Sequence, residues 1–160
     1  MITTEQLSAA GPIGEASTGI DVTTGVDIVE VPRLMKLAQR PGGLAAVLTE
    51  RELEYCCSRP QPPEHIAARF AAKEAVLKAF GTGLAQGIRW TDVEILNERG
   101  GRPTVVLHGA AKTLAEARGL FRLDVSLSHT GQIALAQAVA LWTSAPAREG
   151  AFPEAIADAA

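Results

Sequence analysis

Cysteine and aromatic residues are scarce in this sequence, which excludes a disulfide-stapled fold. The 160 residues include two cysteines, and aromatic residues make up 4% of the total. Cys56 and Cys57 are adjacent, and neighbouring cysteines are poor partners for a structural disulfide. No further cysteine and no nearby histidine except His65 is available to complete a metal-ligand set. We therefore interpret the pair as two reduced thiols at a helix end.

Long apolar runs and blocks of like charge are also missing. No stretch approaches the roughly 20 apolar residues that a membrane-spanning helix needs. Residues 1–19 contain neither a basic residue nor an apolar block, so we expect no secretory signal and a cytoplasmic location. The net charge of −3 comes without a lysine or arginine block, which argues against a nucleic-acid surface. The composition favours one globular domain, because 47% hydrophobic residues can build a real core.

The two ends of the chain differ in composition from its middle. Residues 1–24 are rich in small and polar residues, and we interpret them as a flexible extension. Residues 143–160 are rich in alanine, proline and glycine, and we interpret them as a loosely ordered tail. The domain itself is predicted to occupy residues 25–142.

Periodicity and turn residues predict the elements of this domain. In chain order, these are a strand at 25–31, helices at 31–40 and 49–58, a central helix ending at Gly81, strands at 88–96 and 103–108, a helix at 109–117, and strands at 125–129 and 133–141. Thr49 and Glu52 form a capping-box pattern before the second helix. The order predicts an α+β fold in which a mostly antiparallel sheet surrounds the long central helix.

The central stretch from Arg69 to Gly83 places charges on an apolar helix. Its apolar stripe consists of residues recurring at three- and four-residue spacings, namely Ile66, Phe70, Leu77 and Phe80. On a helical wheel, Lys73 falls within this stripe, Glu74 on its edge and Lys78 one step further round. Charges at such positions are costly unless they have partners, so we expect something charged to meet the helix there.

Asp27 is the second candidate, because it shares a strand face with Val29 and Val31. Such an aspartate is either exposed and turn-bonded or paired with a cation or donor, and both readings stay open. Asp27 and Glu74 form a minimal hard-cation site, since Mg²⁺ keeps several waters and uses one or two carboxylates plus substrate phosphates. The helix lysines and the Gly81–Thr82–Gly83 turn suit phosphate oxygens. Together these features predict a diphosphate site.

Two further clusters carry polar chemistry. Ser128 and His129 end a predicted strand, but strand neighbours point to opposite faces and no Gly-x-Ser-x-Gly elbow is present, which excludes a serine hydrolase. His129 is either a phosphate donor or a packed, hydrogen-bonded histidine. Arg33, Lys36 and Arg40 share one side of the first helix, which is either solvated or meets an acidic partner.

Four segments together closely resemble the holo-[acyl-carrier-protein] synthase family, the small 4′-phosphopantetheinyl transferases. They are GVDIVE at 25–30, RFAAKEAVLKAFGTG at 69–83, GRP at 101–103 and VSLSHT at 125–130. The resemblance implies the fold of that family and a magnesium-dependent transfer. In this reaction, phosphopantetheine passes from coenzyme A to a serine hydroxyl of an apo acyl carrier protein, releasing adenosine 3′,5′-bisphosphate.

The resemblance also implies roles for individual residues. Asp27 and Glu74 would hold magnesium against the coenzyme A diphosphate, and Lys78 would bind the same phosphates. Either Glu74 or a metal-associated water would accept the serine proton. The residues expected to contact coenzyme A are Lys73, Lys78, Gly81, Thr82, Gly83, Ser128 and His129. Lys73 has the least defined role, reaching either the pocket rim or a nucleotide phosphate.

The family resemblance further implies protein partners. Arg33, helped by Lys36, would grip an acidic helix of the acyl carrier protein. A homotrimer is expected, with active sites between subunits, Asp27 coming from one chain and the central helix from its neighbour. The carrier protein, from fatty-acid or polyketide synthesis, stays open. The alternative function is a non-catalytic carrier-protein or nucleotide-binding module, which would have no need of Asp27, Glu74 and Lys78 together.

Overall fold

The computed structural model describes residues 19–143. Its helices are α1 (Val31–Ala38), α2 (Glu50–Cys57), α3 (Pro62–Phe80) and α4 (Gly109–Ala117), and its strands are β1 (Ile20–Glu30), β2 (Val93–Asn97), β3 (Pro103–Leu107), β4 (Leu120–His129) and β5 (Ile133–Thr143). Short 3₁₀ turns lie at Leu44–Ala46 and Trp90–Asp92. Within this part of the chain, no helix combines the length and the apolar character needed to cross a membrane.

Two antiparallel sheets surround α3, which confirms the predicted α+β architecture. One sheet has the strand order β1-β5-β4 and the other pairs β2 with β3. The buried surfaces of α3 and β5 are both built largely from alanine, including Ala71, Ala75 and Ala79 on the helix and Ala136 and Ala138 on the strand. Short side chains on both surfaces allow the helix to lie close to the sheet.

Gly25 allows β1 to cross α3 at backbone distance. A Cβ atom added at this position would lie 2.0 Å from the carbonyl oxygen of Ala75 and 2.7 Å from the nitrogen of Ala79. Side chains two residues apart on a strand share a face, so Asp27 also points toward α3. The absence of a side chain at Gly25 therefore brings the Asp27 carboxylate to the helix.

The central helix is longer at its start than the sequence predicted. It begins at Pro62, four residues before Ile66, where the predicted apolar stripe starts. Proline is well suited to the first helical turn, because the N–H it lacks would have no partner there. The predicted end is confirmed: Gly81 adopts a left-handed conformation with φ of +70° and its N–H donates to the Lys78 carbonyl at 3.0 Å.

The first and last strands also exceed their predicted limits. Ile20 pairs with Thr143, and the antiparallel register continues from there to Glu30 and Ile133. The prediction of a flexible extension is therefore wrong for residues 20–24. The rest of that predicted extension, residues 1–18, and the predicted tail from 144 to 160 lie outside the described residues.

Local sequence signals predicted the start of α2 correctly and the start of β2 incorrectly. The predicted capping box is confirmed, since the Glu52 N–H donates to Thr49 Oγ1 at 3.3 Å and the Thr49 N–H donates to Glu52 Oε2 at 2.7 Å. The strand expected from residue 88 begins only at Val93. Asp92 explains the difference, because its carboxylate accepts the Arg89 N–H at 3.1 Å and stabilises a 3₁₀ turn.

The outer face of the three-stranded sheet is apolar along β1 and β5. The exposed side chains on this face are Ile20, Val22, Val26, Ile28, Ile133 and Leu135, which are 38 to 62% exposed. Helix α3 covers the opposite face of the same strands. A contiguous exposed apolar patch of this kind is typical of a protein interface.

Candidate active site

An ion pair between β1 and α3 forms the centre of the candidate site. The Lys78 ammonium donates to Asp27 Oδ1 at 2.8 Å and to the Val26 carbonyl at 2.9 Å. The Asp27 side chain is 15% exposed and that of Lys78 is 51% exposed. The two residues are 51 positions apart in the chain, so the contact depends on the β1–α3 crossing at Gly25.

Glu74 lies one helical turn before Lys78 and lines the same cavity as Asp27. Burial raises the pKa of the Glu74 carboxyl above its ordinary value of 4.5, the nearby negative charge of Asp27 raises it further, and Lys78 partly opposes both effects. Two carboxylates at one cavity repel each other. A cation bound between them would lower this repulsion.

The donor set fits magnesium better than it fits a softer metal. Asp27 and Glu74 offer only carboxylate oxygens, which are ligands that Mg²⁺ prefers. Among residues 19–143, no cluster of three or more histidine, cysteine, aspartate or glutamate residues could hold a metal. A two-carboxylate site therefore leaves the remaining ligand positions to water and substrate oxygens, as is common for Mg²⁺.

The cavity of Asp27 and Glu74 has a volume of about 670 Å³ and a basic wall. That wall comes from α1, whose exposed Arg33 and Lys36 line the cavity together with Arg40. None of these three cations forms an ion pair with another residue of the described range. The cavity thus presents carboxylates and unpaired cations to the same space.

Asp27 and α3 belong to one chain in this cavity. The expectation that one subunit supplies Asp27 and its neighbour supplies the central helix is therefore wrong. The reason is the close β1–α3 crossing, which places Lys78 in direct contact with Asp27 of its own chain.

Lys73 does not belong to this site, and its predicted contact with coenzyme A is wrong. Its side chain is 0% exposed and its ammonium lies 2.8 Å from Glu52 Oε2. It also donates to the carbonyl oxygens of Trp90, at 3.0 Å, and Val93. All three ammonium protons are used in the interior, so none is available to a phosphate.

His129 lines a second cavity, of about 220 Å³, at the start of α3. Its Nδ1 lies 2.7 Å from Glu64 Oε2, and its ring centroid lies 4.9 Å from that of His65. Ser128 points away, because on β4 it pairs with Leu135 on the outer sheet face. Within one chain, the structure therefore joins neither Ser128 to His129 nor His129 to the cavity of Asp27.

Arg69 is a polar residue of the second cavity to which sequence reasoning assigned no role. It is 3% exposed, its guanidinium lies 4.1 Å above the Tyr55 ring, and it donates to Asn97 Oδ1 at 2.6 Å. Its Nε is buried without a hydrogen-bond partner. The pKa of His65 is lowered by burial and by the positive charges around it, Arg69 among them. Arg69 and the two histidines, His65 and His129, thus line one cavity. The signal for Arg69 in the sequence was a charged residue among the apolar residues of the central helix.

The Gly81–Thr82–Gly83 turn follows Phe80, the last residue of α3, and begins three residues after Lys78. Gly81 and Gly83 both have positive φ, at +70° and +56°, which favours glycine. The turn lines neither of the two cavities. It lies close to Lys78 in sequence but away from His129, which is at the opposite end of the helix.

Comparison with known proteins gives a consistent result over most of the chain. Residues 23–140 match the sequence profile of the 4′-phosphopantetheinyl transferase superfamily. The holo-[acyl-carrier-protein] synthase of Koribacter versatilis is 48% identical over 118 residues, covering 72% of this chain and 94% of the relative. That of Moorella thermoacetica is 49% identical over 127 residues, covering 79% of this chain and 97% of the relative.

A solved structure agrees with these sequence matches. The structure described as an ACPS–CoA complex from Chronobacterium ammoniagenes superposes with a TM-score of 0.68 and 31% sequence identity. The match covers 78% of this chain and 99% of the other.

Proposed function

This chain belongs to the 4′-phosphopantetheinyl transferase superfamily, as a holo-[acyl-carrier-protein] synthase, and from that premise we propose its reaction in detail. The 4′-phosphopantetheine group of coenzyme A passes to a serine hydroxyl of an apo acyl carrier protein, and adenosine 3′,5′-bisphosphate leaves. The observation that carries this proposal is the meeting of Asp27 and Glu74 at one cavity, with Lys78 bonded to Asp27.

Asp27 and Glu74 are the proposed magnesium ligands. Magnesium bound there would neutralise charge on the coenzyme A diphosphate during attack on the β-phosphorus. Lys78 holds Asp27 in place with one N–H and the Val26 carbonyl with a second. The third N–H, on a half-exposed side chain, is available to donate to a phosphate oxygen.

The serine proton goes either to Glu74 or to a water beside it. Both routes use groups at one cavity, because Glu74 lines it together with Asp27. The Gly81–Thr82–Gly83 turn would approach the nucleotide through its backbone, and Ser128 and His129 would bind its 3′-phosphate.

A mass measurement tests the reaction directly. The protein is incubated with apo acyl carrier protein, coenzyme A and Mg²⁺, and we expect the carrier protein to gain the mass of one phosphopantetheine group. A carrier protein whose acceptor serine is replaced by alanine is the control. Carrier proteins of fatty-acid and polyketide synthesis compared side by side identify the preferred substrate. No gain with any of them would favour the non-catalytic binding module.

The basic wall of the cavity is the proposed docking surface for the carrier protein. Arg33 and Lys36 are exposed on α1 and line the cavity that holds Asp27 and Glu74. An acidic helix bound there would present its serine to the reacting phosphate. Unpaired surface cations also steer an acidic partner toward the site.

Charge reversal at Arg33 tests this docking surface. We expect Arg33→Glu to lower kcat/KM for the carrier protein about tenfold at low salt, because it replaces attraction with repulsion. The effect should shrink as ionic strength rises and screens the charges. Arg99→Glu makes the same change on the exposed β2–β3 turn and should leave the rate unchanged. Equal losses in both variants would contradict the assignment.

A homotrimer is proposed as the assembled enzyme, supported by two features of the single chain. The apolar outer face of β1 and β5 has no cover among the described residues. The cavity of Asp27 and the cavity of His129 are separate within one chain. We therefore propose that active sites form between subunits, with Asp27, Glu74 and Lys78 from one chain and Ser128 and His129 from its neighbour.

Ile28 provides a test of this interface. It is 62% exposed on the outer face, so Ile28→Lys would place a charge where we expect burial between subunits. The native protein should have three times the mass of one chain by light scattering, and the variant should dissociate. Phe121→Lys alters a similarly exposed residue that lies off the β1–β5 patch and should keep the native mass. A monomeric native protein would contradict the trimer.

A further inference from the structure

The ion pair between Glu52 and Lys73 is completely buried and has no role in the proposed reaction. Both side chains are 0% exposed, and Lys73 Nζ lies 2.8 Å from Glu52 Oε2. Isolated buried charges are strongly unfavourable, so this pair is tolerated only because its hydrogen-bonding capacity is satisfied. Apolar side chains of similar volume would fill the same space without that requirement.

The pair connects three elements of the fold. Glu52 accepts the Thr49 N–H at 2.7 Å at the start of α2 and the Ile95 N–H at 2.8 Å on β2. Lys73, on α3, donates to Glu52 and to the carbonyls of Trp90 and Val93. One turn of α3 is thereby fastened to both α2 and the β2 segment by directional bonds.

The opposite side of α3 packs against the sheet through small residues. It faces β5 through alanine on both surfaces, as at Ala75 and Ala136. Small side chains interlock weakly, because the ridges and grooves that fix helix orientation are shallow. Directional bonds at Lys73 add a rotational constraint to the ring contact of Phe80 with Trp142 and the bond of Lys78 to Asp27.

Rotation of α3 would act directly on the neighbouring residue, Glu74. A side-chain atom about 6 Å from the helix axis moves about 1 Å for every 10° of rotation. A misplacement of about 1 Å in a reacting constellation can cost about a hundredfold in rate. The position next to Glu74 is therefore where a constraint on helix rotation has the most effect on the candidate site.

We propose that the Glu52–Lys73 pair positions the catalytic face of α3, holding Glu74 and Lys78 in register with Asp27. This inference rests on the function proposed above. Lys73 and Glu52 are positioning residues, since neither lines the cavity of Asp27 and Glu74. The role also explains why a lysine occupies the apolar stripe of this helix.

The test replaces the pair with uncharged residues of similar size. Removing one partner alone would leave a buried unpaired charge and endanger folding, whereas replacing both together is often neutral for stability. We expect Glu52→Gln/Lys73→Met to fold, to keep its KM for coenzyme A within about twofold, and to lose about a hundredfold in kcat. Calorimetric titration with Mg²⁺ provides a second readout, and the variant should bind the ion more weakly than the native protein.

The matched control is a neighbouring ion pair whose side-chain hydrogen bonds within the described residues go to Thr49 and His108 rather than to α3. Arg51 and Glu94 also join α2 to β2, with Arg51 Nη1 3.3 Å from Glu94 Oε2. Arg51→Met/Glu94→Gln should therefore leave kcat and Mg²⁺ affinity unchanged.

The outcomes separate this inference from the proposed function. An inactive native protein would overturn the proposed function, and the Mg²⁺ titration would still compare the two variants. An active native protein whose Glu52→Gln/Lys73→Met variant keeps both native kcat and native Mg²⁺ affinity would overturn the positioning role. A loss of kcat that follows a matching fall in the unfolding midpoint, or that the control variant shares, would also overturn it.

Discussion

Glu74→Gln is expected to lower the turnover of the transferase about a thousandfold while the protein still folds. The change removes the negative charge of a proposed magnesium ligand and general base but keeps the size of the side chain. Several kcal/mol of transition-state stabilisation are at stake when a metal is lost from a phosphoryl-transfer site, and about 4 kcal/mol corresponds to a thousandfold.

The measurement is the rate of phosphopantetheine transfer at saturating coenzyme A and Mg²⁺. Glu98→Gln makes the same chemical change at an exposed position in the β2–β3 turn and should retain the native rate. Circular dichroism of both variants checks the fold. A folded Glu74→Gln variant with native turnover would remove Glu74 from the site.

The same substitution should leave the metal-free protein at least as stable as the native one at neutral pH. Burial and the Asp27 charge raise the pKa of Glu74 above 4.5, so the folded protein binds this proton more tightly than the unfolded chain does. The contribution of Glu74 to stability therefore falls as pH rises from about 4.5 through the raised value. Thermal unfolding between pH 5 and pH 8 in chelator should show a weaker pH dependence in Glu74→Gln.

Gly25→Ala is expected to destabilise the fold by about 3 kcal/mol, at the upper end of the usual cost of overpacking. The added Cβ would lie 2.0 Å from the Ala75 carbonyl oxygen, which belongs to the α3 backbone and cannot rotate away. Either β1 must shift away from α3 or the helix must bend. Because Asp27 is two residues further along β1, the Asp27–Lys78 contact should lengthen and activity should fall as well.

Urea denaturation of the metal-free protein measures this effect. Gly100→Ala is the matched control, since a Cβ at Gly100 meets no atom within 4 Å and no positive φ is required there. The control should change stability by less than about 0.5 kcal/mol. If both substitutions had the same small effect, the close crossing of β1 and α3 would not determine the geometry of the site.

Structural features that depend on residues close together in the sequence were predictable. The Thr49–Glu52 capping box and the Gly81 stop follow from local rules, and both are confirmed. The extra length of β1 had a signal in the sequence, because Ile20 and Val22 continue the alternation of the strand. We missed this signal because glycine and small polar residues surround it. The start of α3 was missed because Pro62 and Pro63 read equally well as a break or as a first turn.

Side-chain partners that lie far apart in the chain were not predictable. The wheel placed Lys73 in the apolar stripe of α3 and implied a charged partner, but nothing local identifies Glu52 on another helix. The sequence likewise led to the expectation that Asp27 and the central helix come from different subunits. Their contact at Lys78 depends on the close crossing of β1 and α3 at Gly25, which only the tertiary structure shows.

The sequence by itself determined the elements of the fold, its family and the chemical types gathered for the reaction, because periodicity, caps and motifs are written in neighbouring residues. Only the tertiary structure decided which charged side chains pair with each other. Elements joined by long segments are oriented by packing, and the Ala-rich surfaces of α3 and β5 with Gly25 set how closely they approach. That packing pairs Lys78 with Asp27, buries Lys73 against Glu52 and leaves His129 in a cavity of its own.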